Sequence, residues 1–79
     1  MKQDEAIELV KRELDVATAI HGPMLTWHDG GGIIKEEYDE LWEAIRKVKS
    51  FNDQSNYHAL LKEAKQLAAM AIRFMVDLC

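Results

Sequence analysis

Gly22, Pro23, Gly30, Gly31 and Gly32 are the only glycines and prolines in the chain, and all fall between positions 22 and 32. Outside that window no residue is a strong helix breaker, so the sequence has one substantial interruption in otherwise helix-compatible chain. The flanking segments carry the matching period. Ile7, Val10, Leu14, Ala17 and Ile20 recur at alternating three- and four-residue spacing, the signature of one helical face. Asp4 and Glu5 stand near the positive end of that helix, and Glu8 with Arg12 and Lys11 with Asp15 form i,i+4 pairs on its wet side. After the break, Ile34, Tyr38, Leu41, Ile45 and Val48 form a second stripe, widened by Trp42. It ends in the polar stretch 50–56, where Phe51 is the only apolar residue. A third segment runs from about residue 55 to the end, carrying Leu60, Leu61, Ala64, Leu67, Ala68, Ala71, Ile72, Met75 and Leu78. No alternating β pattern competes. The expectation is an all-α fold: one domain over 1–79, built as a three-helix antiparallel bundle.

Size then bears on how such a bundle is completed. The chain has 79 residues, 48% of them hydrophobic and 30% charged, with a mean hydropathy of −0.27. Domains this small bury a modest share of their surface, and the usual supplements are disulfides, structural metals or association. Cys79 is the sole cysteine, which excludes an internal disulfide and a cysteine-based zinc site. The third helix would reach roughly 35 Å at 1.5 Å per residue. Its apolar arc is also wide, because Met70 and Phe74 extend it. A helix that apolar has two surfaces to bury, so a partner copy on one of them is expected, in a dimer or tetramer. No apolar run approaches the roughly 20 residues of a membrane span, and the charged start MKQDEAIELVKREL has no signal-peptide core. A cytoplasmic protein without membrane contact is expected. The net charge of −4 and pI near 5.2 argue against a nucleic-acid polymer as partner, since that affinity needs clustered Lys and Arg.

The chemistry-bearing segment is Lys35-Glu36-Glu37-Tyr38-Asp39-Glu40-Leu41-Trp42-Glu43. At about 100° per residue, Glu37 and Glu40 lie about 60° apart on one side of the helix. Glu37 falls at the edge of the Ile34/Leu41/Ile45 stripe, while Glu36 and Glu43 turn toward water. The third helix has a comparable edge in Glu63, Gln66, Met70 and Asp77. Antiparallel packing lets the two edges meet, and carboxylates gathered in a half-buried groove require a cation. Hard oxygen ligands favour Mg2+, with Mn2+ as the other choice. The alternative is a solvated acidic face, the commoner use of glutamate on helices. Asp29-Gly30-Gly31-Gly32 reads as a turn and helix start whose amides can meet a phosphate; no Gly-Lys-Ser/Thr follows, so it is not a P-loop. Trp27 and His28 either contact a base or cover the core. Lys35 and Lys62 either meet phosphate or are surface lysines. His21 and His58 lack a helical partner for metal.

Glu36-Glu37-x-x-Glu40-Leu, followed by a second helix bearing Glu63, resembles the MazG-like group of all-α nucleoside triphosphate pyrophosphohydrolases. That group carries Glu-Glu-x-x-Glu on one helix and Glu-x-x-Asp on the next. The resemblance covers roughly residues 20–79. The segments from His21-Gly22-Pro23 to His28-Asp29-Gly30, and Ala68-Ala69-Met70-Ala71-Ile72-Arg73-Phe74, look most like its small phage and mobile-element members. It implies cleavage of a nucleoside triphosphate between the α- and β-phosphates, releasing pyrophosphate. It also implies magnesium held by Glu36, Glu37, Glu40 and Glu63, with Glu37 and Glu40 catalytic. Trp27, His28, Lys35 and Lys62 would then bind substrate. Two departures stand out. Gln66 occupies the position where the pattern has Asp; its amide oxygen can ligate, but a negative charge is lost. Asp77 is about 21 Å along the helix from Glu63, too far to replace it. Many members also have a fourth helix, and this chain has no obvious one. The rival expectation is therefore a catalytically weak or inactive helical oligomer of the same fold that binds a nucleotide or a protein partner. A helical adaptor or antitoxin-like protein is a weaker third.

Overall fold

The computed structural model describes residues 1–50 and 53–79; Phe51 and Asn52 lie outside the described residues. Its elements are α1 (Gln3–Ile20), α2 (Trp27–Lys47) and α3 (Gln54–Leu78), with no strand among the described residues. No helix is long and apolar enough to cross a membrane among the described residues.

The longest helix is the axis of the fold. Both α1 and α2 pack on α3, and the α1 and α2 backbones do not come within 8 Å of each other. Leu9 and Val10 of α1 lie beside Leu61 and Ala64, while Leu14 and Thr18 lie beside Arg73 and Val76. α1 therefore runs parallel to α3. α2 runs the other way: Gly30 near its start meets Phe74 and Leu78, and Lys47 at its end accepts a hydrogen bond from Asn56 Nδ2 at 3.1 Å. The three helices run up, down, up, and the antiparallel packing expected of the bundle is confined to the α2–α3 pair. α3 packs against both α1 and α2, and Met75 and Val76, near its end, are exposed. Between Leu60 and Phe74 only Lys62 and Ala64 are exposed.

The glycine segment corrects the sequence expectation. α2 already begins at Trp27, where the Thr26 hydroxyl accepts from the Asp29 amide at 3.1 Å and satisfies one orphan donor of the helix start. Gly30, Gly31 and Gly32 are thus helical, none with positive φ, and the true break is 21–26. Gly30 is there because α2 and the end of α3 are pressed together. A Cβ at Gly30 would stand 2.8 Å from Phe74 Cδ2, 2.9 Å from Leu78 Cδ1 and 3.1 Å from Met24 Sδ. Around this contact the α1–α2 connection is tied to α3 by hydrogen bonds. Met24 N donates to Asp77 Oδ2 at 2.9 Å, Trp27 Nε1 donates to the Leu78 carbonyl at 3.0 Å, and Arg73 donates to the Gly22 carbonyl.

Small side chains, more than large ones, mark the contact faces. The buried apolar residues are Ala17, Met24, Ala44, Ala69 and Met70, with Leu14, Ile33, Ile34, Phe74 and Leu78 packed around most of them. Helices approach most closely where side chains are short, so the buried face of α2 follows Gly30 and Ala44. The stripe expected to be core is split in consequence: Ile34, Leu41 and Val48 are half-buried, whereas Tyr38, Trp42 and Ile45 are 51%, 50% and 43% exposed. On α1, Ile7 and Ile20 also face outward. Of the two pairs expected there, Glu8–Arg12 forms at 3.6 Å, and Lys11–Asp15 is not among the ion pairs of the described residues.

Candidate metal centre

Gly30, Glu37 and Ala44 stand seven residues apart on one line of α2, and Gly30 and Ala44 are buried against its neighbours. Glu37 lies between them and is carried onto the packed side of the helix, further in than the stripe-edge position expected for it. It is half-buried, as is Glu63 on α3, while Glu40 is exposed at the margin. One carboxylate oxygen from each of Glu37, Glu40 and Glu63 lies within 4.8 Å of the other two. The acidic residues of α2 and α3 do meet.

These acids are poorly satisfied. Glu37 Oε2 and Glu63 Oε2 are buried and have no hydrogen-bond partner, an arrangement that costs a carboxylate its solvation without replacement. Burial first, then the charges of Glu40 and Glu63, hold Glu37 above the ordinary glutamate range. Burial and then Glu40 do the same to Glu63, with Lys62 opposing. No arginine or lysine forms an ion pair with any of the three among the described residues: the ion pairs are Glu8–Arg12, Lys35–Asp39 and Glu43–Arg46. The spacing suits a divalent ion. Ligand oxygens about 2.1 Å from Mg2+ stand up to roughly 4.2 Å apart across the ion, and those of a larger Ca2+ roughly 5 Å apart. The donor set is all carboxylate, without imidazole or thiolate, as a hard cation prefers.

The remaining candidates are spread along the molecule. Glu36 stands outside the three-carboxylate group and lines, with Glu37 and Gln66, an adjacent cleft of about 500 Å³. Lys62 is exposed next to Glu63. Lys35 is held on the surface by Asp39, at 2.6 and 2.8 Å from its two oxygens. Trp27 and His28 lie on the first turn of α2, about 15 Å along the helix from Glu37. Trp27 commits its indole N–H to the end of α3, and His28 is exposed. Asp77, remote from Glu63 as expected, accepts from Met24. Arg73, the one buried charged side chain among the described residues, was not singled out from sequence. Its signal was available only as a lone cation among Ala69, Met70, Ala71, Ile72 and Phe74.

Comparison with known proteins gives no match: no family model, no curated protein and no solved structure matches this chain.

Proposed function

We propose that this chain is a small magnesium-dependent nucleoside triphosphate pyrophosphohydrolase of the MazG-like kind, yielding a nucleoside monophosphate and pyrophosphate. The observation that carries the proposal is the set of three converging carboxylates, two of them with buried, unpartnered oxygens. Without a cation the cluster opposes its own fold, so its presence is best explained by one. Glu37, Glu40 and Glu63 would hold Mg2+, and the ion would neutralise triphosphate oxygens and orient the phosphorus under attack. Glu40 is the carboxylate open to solvent, and in this reading an oxygen of it not held by the ion would accept the proton of the attacking water. Glu37 and Glu63, desolvated and repelled by their neighbours, are the carboxylates whose charge a bound cation would offset. The test is pyrophosphate release from a nucleotide panel with magnesium. Saturable turnover that falls at least a hundredfold in Glu40→Gln is expected, and release no greater than that of the variant ends the proposal.

The second reading, a fold of this kind that binds without turnover, is favoured by Gln66, which lines the cleft beside Glu36 and Glu37 and supplies no fourth negative charge. Calorimetry showing nucleotide binding without product would select it.

Self-association belongs to either reading. A 9.1 kDa monomer typically exposes about 4,900 Å², and this one exposes 5,984 Å². The excess is comparable to the roughly 800 Å² each partner buries in a standard interface. Tyr38, Trp42 and Ile45 form the exposed apolar stripe that supports α2, in place of α3, as the contacting helix. Sedimentation of the wild type should give a dimer or larger, and Trp42→Glu should weaken it at least tenfold. A stable wild-type monomer at micromolar concentration would contradict this.

A further inference from the structure

Because α1 and α2 both rest on α3 with no Cα of one within 8 Å of the other, a cleft of about 500 Å³ opens between them, within the range of small-ligand sites. One end is lined by Glu36, Glu37 and Gln66, beside the acidic cluster, and the walls include Val16, Ala17, Ile33 and Met70. At the far end is Arg73, only 6% exposed and yet without a carboxylate within ion-pair distance among the described residues. Its guanidinium is bracketed by two residues that also line the cleft: it donates to the Gly22 carbonyl and lies 3.8 Å from Met70 Sδ. Guanidinium has five N–H donors and no acceptor, so these two contacts leave donors over. Arg73 also lines a second cleft with Asp15 and Asp77, but neither pairs with it. A buried cation with spare donors and no paired carboxylate has room for an acceptor from outside the chain.

Register says what that acceptor belongs to. Gln66, Met70 and Arg73 lie about 4.5, 10 and 15 Å beyond Glu63 along α3. A ligand whose phosphates meet the acidic cluster therefore lays its sugar past Gln66 and its base between the apolar walls, edge toward Arg73. We infer that the cleft seats a nucleobase bearing a carbonyl oxygen, with Arg73 donating to that oxygen. The inference rests on the proposed activity only for where the phosphates lie. Adenine presents an amino group where hypoxanthine presents a carbonyl, and two donors facing each other disfavour it.

The four methionines supply the measurement. Met24 and Met70 line the cleft, while Met1 and Met75 do not. With methyl-labelled methionine, the protein is titrated without metal using inosine, thymidine and adenosine, nucleosides that carry no phosphate. Saturable shifts of the Met24 and Met70 methyls are expected, with Met1 and Met75 unmoved, and adenosine binding at least about fivefold more weakly than inosine. Arg73→Lys, which keeps the charge and loses the planar fork, should bring inosine and adenosine within about twofold. Unmoved Met24 and Met70, equal movement of all four, or equal affinity for inosine and adenosine overturns the inference. If Arg73→Lys does not fold, the wild-type titration decides alone. Since neither magnesium nor turnover enters, absence of pyrophosphate release would remove the proposed activity and leave this result standing.

Discussion

At Gly30 the missing side chain is structural, and at its two neighbours it is not. Gly31 and Gly32 have open space where a Cβ would go, so alanine there gains helix propensity at no steric cost. Each change should stabilise by about 0.5–1 kcal/mol. Gly30→Ala drives a methyl into Phe74 and Leu78, and overpacking of about 1–3 kcal/mol outweighs the same propensity gain. Thermal melts of the three variants should separate Gly30 from the others in sign. Glu37 gives the complementary prediction. Glu37→Gln removes a repelled charge and supplies an amide that can donate to Glu40 or Glu63, so the metal-free protein should gain on the order of 1 kcal/mol. Its melting temperature should rise by roughly 4–8 °C, while stabilisation by magnesium is lost. A less stable variant would mean that the carboxylate is satisfied as it stands.

Among the elements, α3 is held at both ends by different means. At its start Asp53 caps the helix: its carboxylate accepts from Asn56 N at 3.4 Å and from Asn56 Nδ2 at 2.7 Å, and the Asn56 side chain chiefly keeps Asp53 below the ordinary aspartate range. At its end Asp77 and Arg73 fasten the connection 21–26, and the Leu78 carbonyl holds Trp27 at the start of α2. Asp77→Ala leaves a part-buried Met24 amide without its acceptor. The expected loss is about 1–2 kcal/mol, read as a lower melting temperature, and hydrogen exchange should quicken around residues 22–26 before it does in the middle of α2.

For the whole molecule the acidic cluster sets how stability depends on pH. Glu37 and Glu63 have folded pKa values above their unfolded ones, so the folded state holds their protons more tightly. Stability from this source is greatest below the ordinary glutamate value and falls as pH rises through the raised values. Asp53 acts oppositely: its contribution is present above the ordinary aspartate value and is lost as pH falls through the lowered one. The metal-free protein should therefore melt highest in mildly acid buffer and lower at neutral pH. Saturating magnesium, which binds the ionised acids, should raise the melting temperature more at pH 7.5 than at pH 5. A shift equal at the two values, or none, would detach the ion from Glu37 and Glu63.

Periodicity and the single Gly/Pro window were enough to read three helices and the composition of their faces, because a 3.6-residue repeat is local and survives without knowledge of neighbours. The acids on α2 and α3 were legible on the same ground, as neighbours on one helix and as counterparts across an antiparallel pair. Which side of α2 turns inward was not. Large apolar residues dominate a helical stripe, yet the depth to which two helices approach is decided by the shortest side chains on both, here Gly30, Ala44 and Ala69, and that is a property of the pair. The same close approach pressed Gly30 against α3, carried Glu37 inward, turned Tyr38, Trp42 and Ile45 outward, and left Arg73 buried at the end of a cleft that no single segment contains.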